Sequence, residues 1–310
     1  VSLFMKLAPK VVVVGVTGTR GKSMTTALIY GILKHNEKLL KKKVYLGGNM
    51  RDMATLPLLK RATTGDILVC ELDSWQLQGF GENKISPHIA VFTSFMPDHM
   101  NYYVGKMKNY FADKSNIFKY QKRGDILVVR PHVRKIIPKS IKSKLIVADV
   151  ENIVNYKFSV PGIHQRENLA CAVRVARLFH IPDSSIKLAV KKFKGLEGRL
   201  QYLKTIRGVK VYNDNNATTP EATIAGIRAL EEENMGGKII LISGGADKNL
   251  ELGLYTNVVN TFCKAVVLIP GSGTDRLESE KFKVESYKVN NLKEAVKKSL
   301  GLGVRGDVIF

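Results

Sequence analysis

The chain has 310 residues, 45% of them hydrophobic and 25% charged, enough for two domains with sizeable cores. Forty-nine Lys and Arg against 27 Asp and Glu leave a formal charge of +22, a field that favours anionic partners: nucleotides, sugar phosphates, nucleic acid or an acidic membrane surface. No apolar run approaches the ~18 residues of a membrane helix, Val1–Pro9 carries no signal-peptide pattern, and three scattered cysteines (Cys70, Cys171, Cys263) suit neither a disulfide framework nor a zinc ribbon.

These features exclude a membrane protein, a secreted mini-protein and a disordered tail, and the expected setting is a reducing cytoplasm. The β-branched run Val11–Val16 predicts a buried parallel strand. Helical periodicity follows over Lys22–His35, carried by Leu28, Ile29, Ile32 and Leu33. Short strands are predicted at Val44–Leu46, Ile67–Cys70, Ile89–Phe92, Ile126–Val129 and Leu145–Val147, with helices at Tyr110–Tyr120 and Arg166–Phe179. Glycine-punctuated Gly195-Leu-Glu-Gly198 marks a boundary, giving domains 1–197 and 198–310. Beyond it, strands are predicted at Val209–Tyr212, Lys238–Ile242 and Ala265–Leu268, with helices at Pro220–Leu230 and Leu292–Leu300. Pro220 suits a first helical position behind two threonines able to cap it, and Val308–Phe310 reads as a strand just starting. The expected fold is α/β: a mostly parallel sheet carrying, at Gly15-Val-Thr-Gly-Thr-Arg-Gly-Lys-Ser23, the glycine loop of a P-loop ATPase domain, then a smaller Rossmann-like α/β domain. Lysine-rich runs at 41–43, 139–144, 187–194 and 293–298 read as solvated faces.

The chemistry begins at Gly15-Val-Thr-Gly-Thr-Arg-Gly-Lys-Ser23, between the first strand and the first helix. Gly18 and Gly21 let successive N–H groups face a phosphate chain. Lys22 can reach the outer phosphates, the Ser23 hydroxyl can ligate Mg²⁺, and the helix N-terminus adds its dipole. Such a loop needs a carboxylate at a neighbouring strand end. Glu71, in Glu71-Leu-Asp-Ser-Trp-Gln-Leu77, fits that role, although a lone Glu at a strand end is as readily a solvated one. His99 follows the strand Ile89–Phe92, at the end of the sheet where open α/β folds bind ligands. Lys114 lies fifteen residues further on and by composition alone reads as surface charge.

Together these segments resemble the Mur ligases, the ATP-dependent amide ligases of peptidoglycan precursor synthesis, and their folylpolyglutamate synthetase relatives. Thr17–Ser23 matches the family's TGTxGKS/T loop, with Val16 where the common Walker spacing has glycine. Glu71–Leu77 looks like E-x-S-S-F/Y-Q-L, with Asp73 and Trp75 as departures. Asp98-His99 with Lys114 matches the DH pair and the carbamylated lysine, and Pro161-Gly-Ile-His-Gln-Arg-Glu-Asn168 resembles PGxHNxxN. Tyr212-Asn-Asp-Asn-Asn-Ala-Thr218 is similar to the NDSKAT of the D-glutamate-adding branch, with Asn216 in place of lysine, and Gly244-Gly-Ala-Asp-Lys248 looks like its GG-x-x-K loop. Ser94 and Asn101 replace an Asn and an Asp beside the DH pair. The family's N-terminal UDP-holding domain and its extreme C-terminal segment have no counterpart in these residues, and a piece of a longer protein is expected.

The resemblance implies acyl-phosphate chemistry in which ATP activates a carboxylate of UDP-MurNAc-L-Ala and the amine of D-glutamate opens the product. It assigns Lys22, His99 and Lys114 to catalysis. Gly18, Thr19, Arg20, Gly21, Lys22, Ser23, Asn168, Arg199 and Asp214 would hold ATP, with Asn168 on the adenine side. Ser23 and Glu71 would hold one Mg²⁺, and His99 with carbamylated Lys114 a second. Asn49 would meet the carboxylate substrate, and Thr218 and Lys248 the amino acid. No nucleic acid, no membrane insertion and a monomer are expected. Two alternatives stand: another amide ligase of the superfamily, or a non-catalytic nucleotide-binding module contacting nucleic acid.

Overall fold

The structure, a computed structural model, describes residues 1–8, 10–50, 53–99, 102–233, 237–247 and 249–310. The chain divides into two compact units, residues 1–158 with 164–193, and residues 159–163 with 194–310.

The first unit is built on β1 (Val12–Thr17), β2 (Val44–Gly48), β3 (Ile67–Glu71), β4 (Ile89–Phe92), β5 (Ile126–Val129) and β6 (Lys144–Val147). They form one wholly parallel sheet in the order β2-β3-β1-β4-β5-β6. Its central strands are near-continuous Val, Ile and Leu because helices cover both faces. Those helices are α1 (Ser2–Leu7), α2 (Lys22–His35), α3 (Glu37–Leu40), α4 (Ser74–Glu82), α5 (Met107–Lys119), α6 (Pro131–Arg134), α7 (Ile163–Leu178) and α8 (Asp183–Lys192). On one face, Phe4, Leu68, Leu77, Phe80, Phe92, Ile117 and Leu127 share a core. Register aligns Gly48 with Glu71 and Val16 with Glu71, while Thr17 pairs with Phe92. The chain passes from β3 across β1 to β4, so the carboxyl ends of these strands open on the crevice where such sheets bind ligands.

The second unit contains β7 (Gln201–Ile206), β8 (Val209–Asn213), β9 (Ile239–Gly244), β10 (Cys263–Ile269), β11 (Glu285–Lys288) and β12 (Val308–Ile309). Their order is β11-β10-β9-β12-β8-β7, parallel except for the β7–β8 hairpin. Helices α9 (Pro220–Glu233), α10 (Gly253–Phe262), α11 (Ser272–Ser279) and α12 (Leu292–Leu302) accompany the sheet. Two apolar clusters form, one around Ile227, Leu230, Val259 and Val266, the other around Ile240, Val267, Ala295 and Ile309. Thr219 caps α9 as its position suggested, its Oγ1 accepting from Ala222 N at 3.4 Å.

Candidate active site

The phosphate loop joins β1 to α2, and its shape is fixed from the neighbouring strand end. Thr93 Oγ1 donates to the carbonyls of Arg20 (2.6 Å) and Thr17 (3.1 Å). Ser94 Oγ accepts from Arg20 N at 2.7 Å, and Thr19 N donates to Ser94 O at 2.8 Å. Gly18 has φ +149°, and a Cβ there would lie 2.1 Å from Thr93 Oγ1, so only glycine lets the loop approach β4 this closely. Gly21 ends the loop at φ +83° as the N-cap of α2, whose first residues are Lys22 and Ser23. The Thr19 side chain is buried; its hydroxyl bonds Met96 O at 3.1 Å and lies 3.3 Å from the Tyr110 hydroxyl.

Two lysines converge behind this loop. Lys22 Nζ donates to Gly18 O at 3.0 Å and Thr19 O at 3.2 Å. Lys114, reaching in from α5, also donates to Gly18 O at 3.0 Å and lies 3.5 Å from Thr17 Oγ1. The composition-based view of Lys114 as surface charge is therefore wrong: the residue is 1% exposed, under the loop and beside the Tyr110 ring. Burial, then the nearby Lys22 charge, brings its pKa down from the ordinary 10.5 to about 7. Asp73, Asp98 and Glu71 oppose that fall.

Glu71 is not a solvated carboxylate either. It is 3% exposed at the end of β3, and among the described residues its Oε2 has no hydrogen-bond partner. A buried carboxylate oxygen left unpaired costs free energy unless a cation takes it, so the position fits a divalent ion. Asn49 is brought to the same edge, its N–H donating to Glu71 O at 2.8 Å. Asp73, the departure in this segment, caps α4 by accepting from Gln76 N at 2.7 Å. Trp75 then stands 41% exposed, edge-on to His99 with centroids 4.7 Å apart and to Tyr102 at 5.5 Å. His99 has φ +55°, and its Nε2 lies 3.7 Å from Asp98 Oδ2. Asn101 lies outside the described residues.

Asn168 is the residue expected on the adenine side. It is 2% exposed behind the loop, where its Oδ1 accepts from Thr25 Oγ1 at 3.1 Å and from Arg130, and its Nδ2 donates to Gln165 Oε1 at 2.9 Å. Ser94 was noted from sequence only as a departure from a family Asn, and Thr93 and Arg130 were not anticipated, since nothing in a threonine or one arginine after a strand signals a loop anchor.

In the second unit, Arg199 and Asp214 sit at one loop junction. Asp214 Oδ1 accepts from Leu200 N at 2.8 Å. Burial raises its carboxyl to about 6, while that bond and the Arg199 charge pull it down. Asn216, replacing the family lysine, donates through Nδ2 to Gly198 O at 3.0 Å. Thr218 is exposed on a cavity of about 360 Å³, also lined by Thr223, Ser243, Gly245, Asp247 and Tyr255. Lys248 lies outside the described residues. No helix among the described residues is long and apolar enough to cross a membrane.

The geometry has counterparts among known proteins. Residues 16–152 match the Mur ligase middle domain and residues 198–310 the Mur ligase, glutamate ligase domain. The UDP-N-acetylmuramoylalanine–D-glutamate ligase of Borreliella afzelii (strain PKo) is 31% identical over 333 aligned residues, covering 100% of this chain and 71% of that protein. The ligase of the same name from Roseiflexus sp. (strain RS-1) is 30% identical, covering 89% of this chain and 64% of its own. The chain thus spans 64–71% of the length of these curated relatives. The fold is similar to that of MurF ligase from Thermotoga maritima in complex with ADP (TM-score 0.76, 20% identity, 99% of this chain and 77% of that one). It is also similar to a bifunctional folylpolyglutamate synthase/dihydrofolate synthase from Yersinia pestis complexed with AMPPNP and Mn ion (TM-score 0.72, 15% identity, 99% and 87%). With both of its domains matched in order and relatives at this identity over most of its length, the chain belongs to the Mur ligase family.

Proposed function

We propose that this chain carries the phosphoryl-transfer and amino-acid-binding parts of an ATP-dependent ligase that adds D-glutamate to UDP-MurNAc-L-alanine. The observation that carries the reading is the meeting of Lys22 and buried Lys114 on one loop carbonyl, within electrostatic reach of Glu71. In the reaction, a carboxylate oxygen of the sugar-peptide attacks the γ-phosphorus and ADP leaves. The D-glutamate amine then attacks the acyl carbon, phosphate departs, and the amine loses a proton.

The chain's own groups have definite tasks. Gly18 to Ser23 offer backbone N–H groups and Lys22 a charge to the phosphates. Ser23 and Glu71 would hold one Mg²⁺, with His99 and carbamylated Lys114 at a second. Mg²⁺ supplies positive charge that lets two anions approach. Among the described residues no three His, Cys, Asp or Glu side chains form a metal cluster, so hydroxyl and carbamate oxygens would complete the ligand set. Carbamylation of Lys114 needs a neutral amine: nitrogen bonds to CO₂ carbon and one proton is released. A pKa of about 7 supports this by leaving much of the amine neutral near neutral pH. The Thr218 cavity would take the amino acid, a reading supported by the Asn213–Thr218 segment and by the relatives' names.

The test is phosphate release from ATP, with these two domains joined to a UDP-binding domain of the family, in the presence of UDP-MurNAc-L-Ala and a panel of amino acids. D-Glutamate alone should support it. Turnover of a folate substrate with L-glutamate would instead favour the other branch, with which the chain shares its fold. In calorimetry, Lys22→Ala should weaken Mg·ADP binding about tenfold, since a charge-assisted hydrogen bond contributes roughly 1.5–3 kcal/mol. Unchanged affinity would remove the loop from the site.

A further inference from the structure

Arg130 follows β5 and has no part in the chemistry above, yet its guanidinium is held by several partners close to the phosphate loop. Its side chain is 6% exposed. Nη1 donates to Glu167 Oε2 at 3.1 Å, and Nη2 donates to His164 O at 3.2 Å and to Asn168 Oδ1. Its Nε, also buried, has no hydrogen-bond partner among the described residues. Burying a guanidinium is costly unless it is paired and hydrogen-bonded, and Glu167 provides the pairing charge. What its contacts fix lies directly against the loop. Asn168 Oδ1, gripped by Arg130 on one side and by Thr25 Oγ1 of α2 on the other, fills the space beside Gly21, where a Cβ would come within 2.4 Å of it. Arg130 Nη2 would itself be 3.3 Å from that Cβ.

We infer that Arg130 is a positioning residue for nucleotide binding: acting through Asn168, it holds Gly21 and the first turn of α2 so that the loop N–H groups converge on the phosphates. The guanidinium does not touch the nucleotide. It supplies the rigid backing that a phosphate cradle requires to be preorganised. The inference rests on reading Gly15–Ser23 as the nucleotide loop, and its test separates the two.

Mg·ADP affinity is measured by calorimetry for the chain and for Lys22→Ala, Arg130→Met, Asn168→Ala and the Arg130→Met/Asn168→Ala pair, with melting temperature and circular dichroism alongside. Arg130→Met should lose roughly tenfold in affinity, the scale of one lost hydrogen-bonded contact. Because both residues act through one contact, the double variant should lose little more than either single one. Arg130→Lys, keeping one donor for Asn168 Oδ1, should recover part of the loss. A merely structural arginine would lower the melting temperature and leave affinity unchanged in the folded fraction, and that result overturns the inference, as do additive losses. If Arg130→Met does not fold, Thr25→Val decides, since it removes the other tie to Asn168 with little change of shape: unchanged affinity overturns the inference and a several-fold loss upholds it. If the chain binds no Mg·ADP, or Lys22→Ala binds it equally well, the loop assignment falls and takes the inference with it.

Discussion

Lys114 shows what a single buried amine does to the pH profile of stability. Its proton is held to about pH 7 in the folded chain and to about 10.5 when unfolded. Between those values the unfolded chain binds more protons, so this group makes stability rise with pH from about 7 and level off near 10.5. Denaturation of the chain and of Lys114→Met at several pH values should show that rise in the chain and a flatter curve in the variant. Parallel curves would mean that the amine is hydrated after all. Gly48 makes a second point. It has φ +78°, and a Cβ there would sit 2.0 Å from Glu71 O, where β2 abuts β3. Gly48→Ala should therefore cost more than the roughly 1–2 kcal/mol of a left-handed alanine, measured by urea unfolding. A smaller loss would show that the two strand ends can part cheaply.

At the scale of elements, packing reverses a propensity. Gly226 lies inside α9, where glycine to alanine ordinarily stabilises by about 1 kcal/mol. Here the added Cβ would meet Phe310 Cζ at 2.4 Å, and the Phe310 backbone is pinned by bonds to Ile240 and Ile242. Gly226→Ala should thus destabilise the second unit by about 1–3 kcal/mol, the usual range for overpacking; a higher melting temperature would contradict the packing. The same contrast between local pattern and context governs which elements were readable. Lys22–His35, Ile89–Phe92 and Ile126–Val129 appear with the bounds their hydrophobic pattern predicts. The strands β7 and β11 were missed because they are sheet edges whose mostly exposed residues, polar and apolar mixed, carry no apolar period. Several helices, α4 among them, were also unanticipated; of the lysine runs read as solvated helix faces, 187–194 and 293–298 lie on α8 and α12, whereas 41–43 and 139–144 fall in turns and at a strand start. In the candidate site, the position of Gly18–Ser23 and Glu71 at strand ends was legible because each follows a clear apolar strand. The backing residues Thr93, Ser94 and Arg130 were not, since they act by tertiary contact.

Over the whole molecule, the charge of +22 acts at long range. It should draw a polyanionic nucleotide toward the chain and raise the association rate at low salt. Stopped-flow binding of Mg·ADP should slow as ionic strength rises, with a much smaller change in dissociation. Salt-independent association would mean that the surface lysines are locally neutralised. Trp75 has an optical consequence. It is the sole tryptophan of the chain, and it sits in the first unit, partly exposed and edge-on to His99. The protein therefore carries an intrinsic fluorophore at the edge of its candidate site, with the His99 ring against the indole. Emission should shift when an anion or sugar-peptide enters beside Glu71, and it should report unfolding of the first unit selectively, while tyrosine emission and circular dichroism register both.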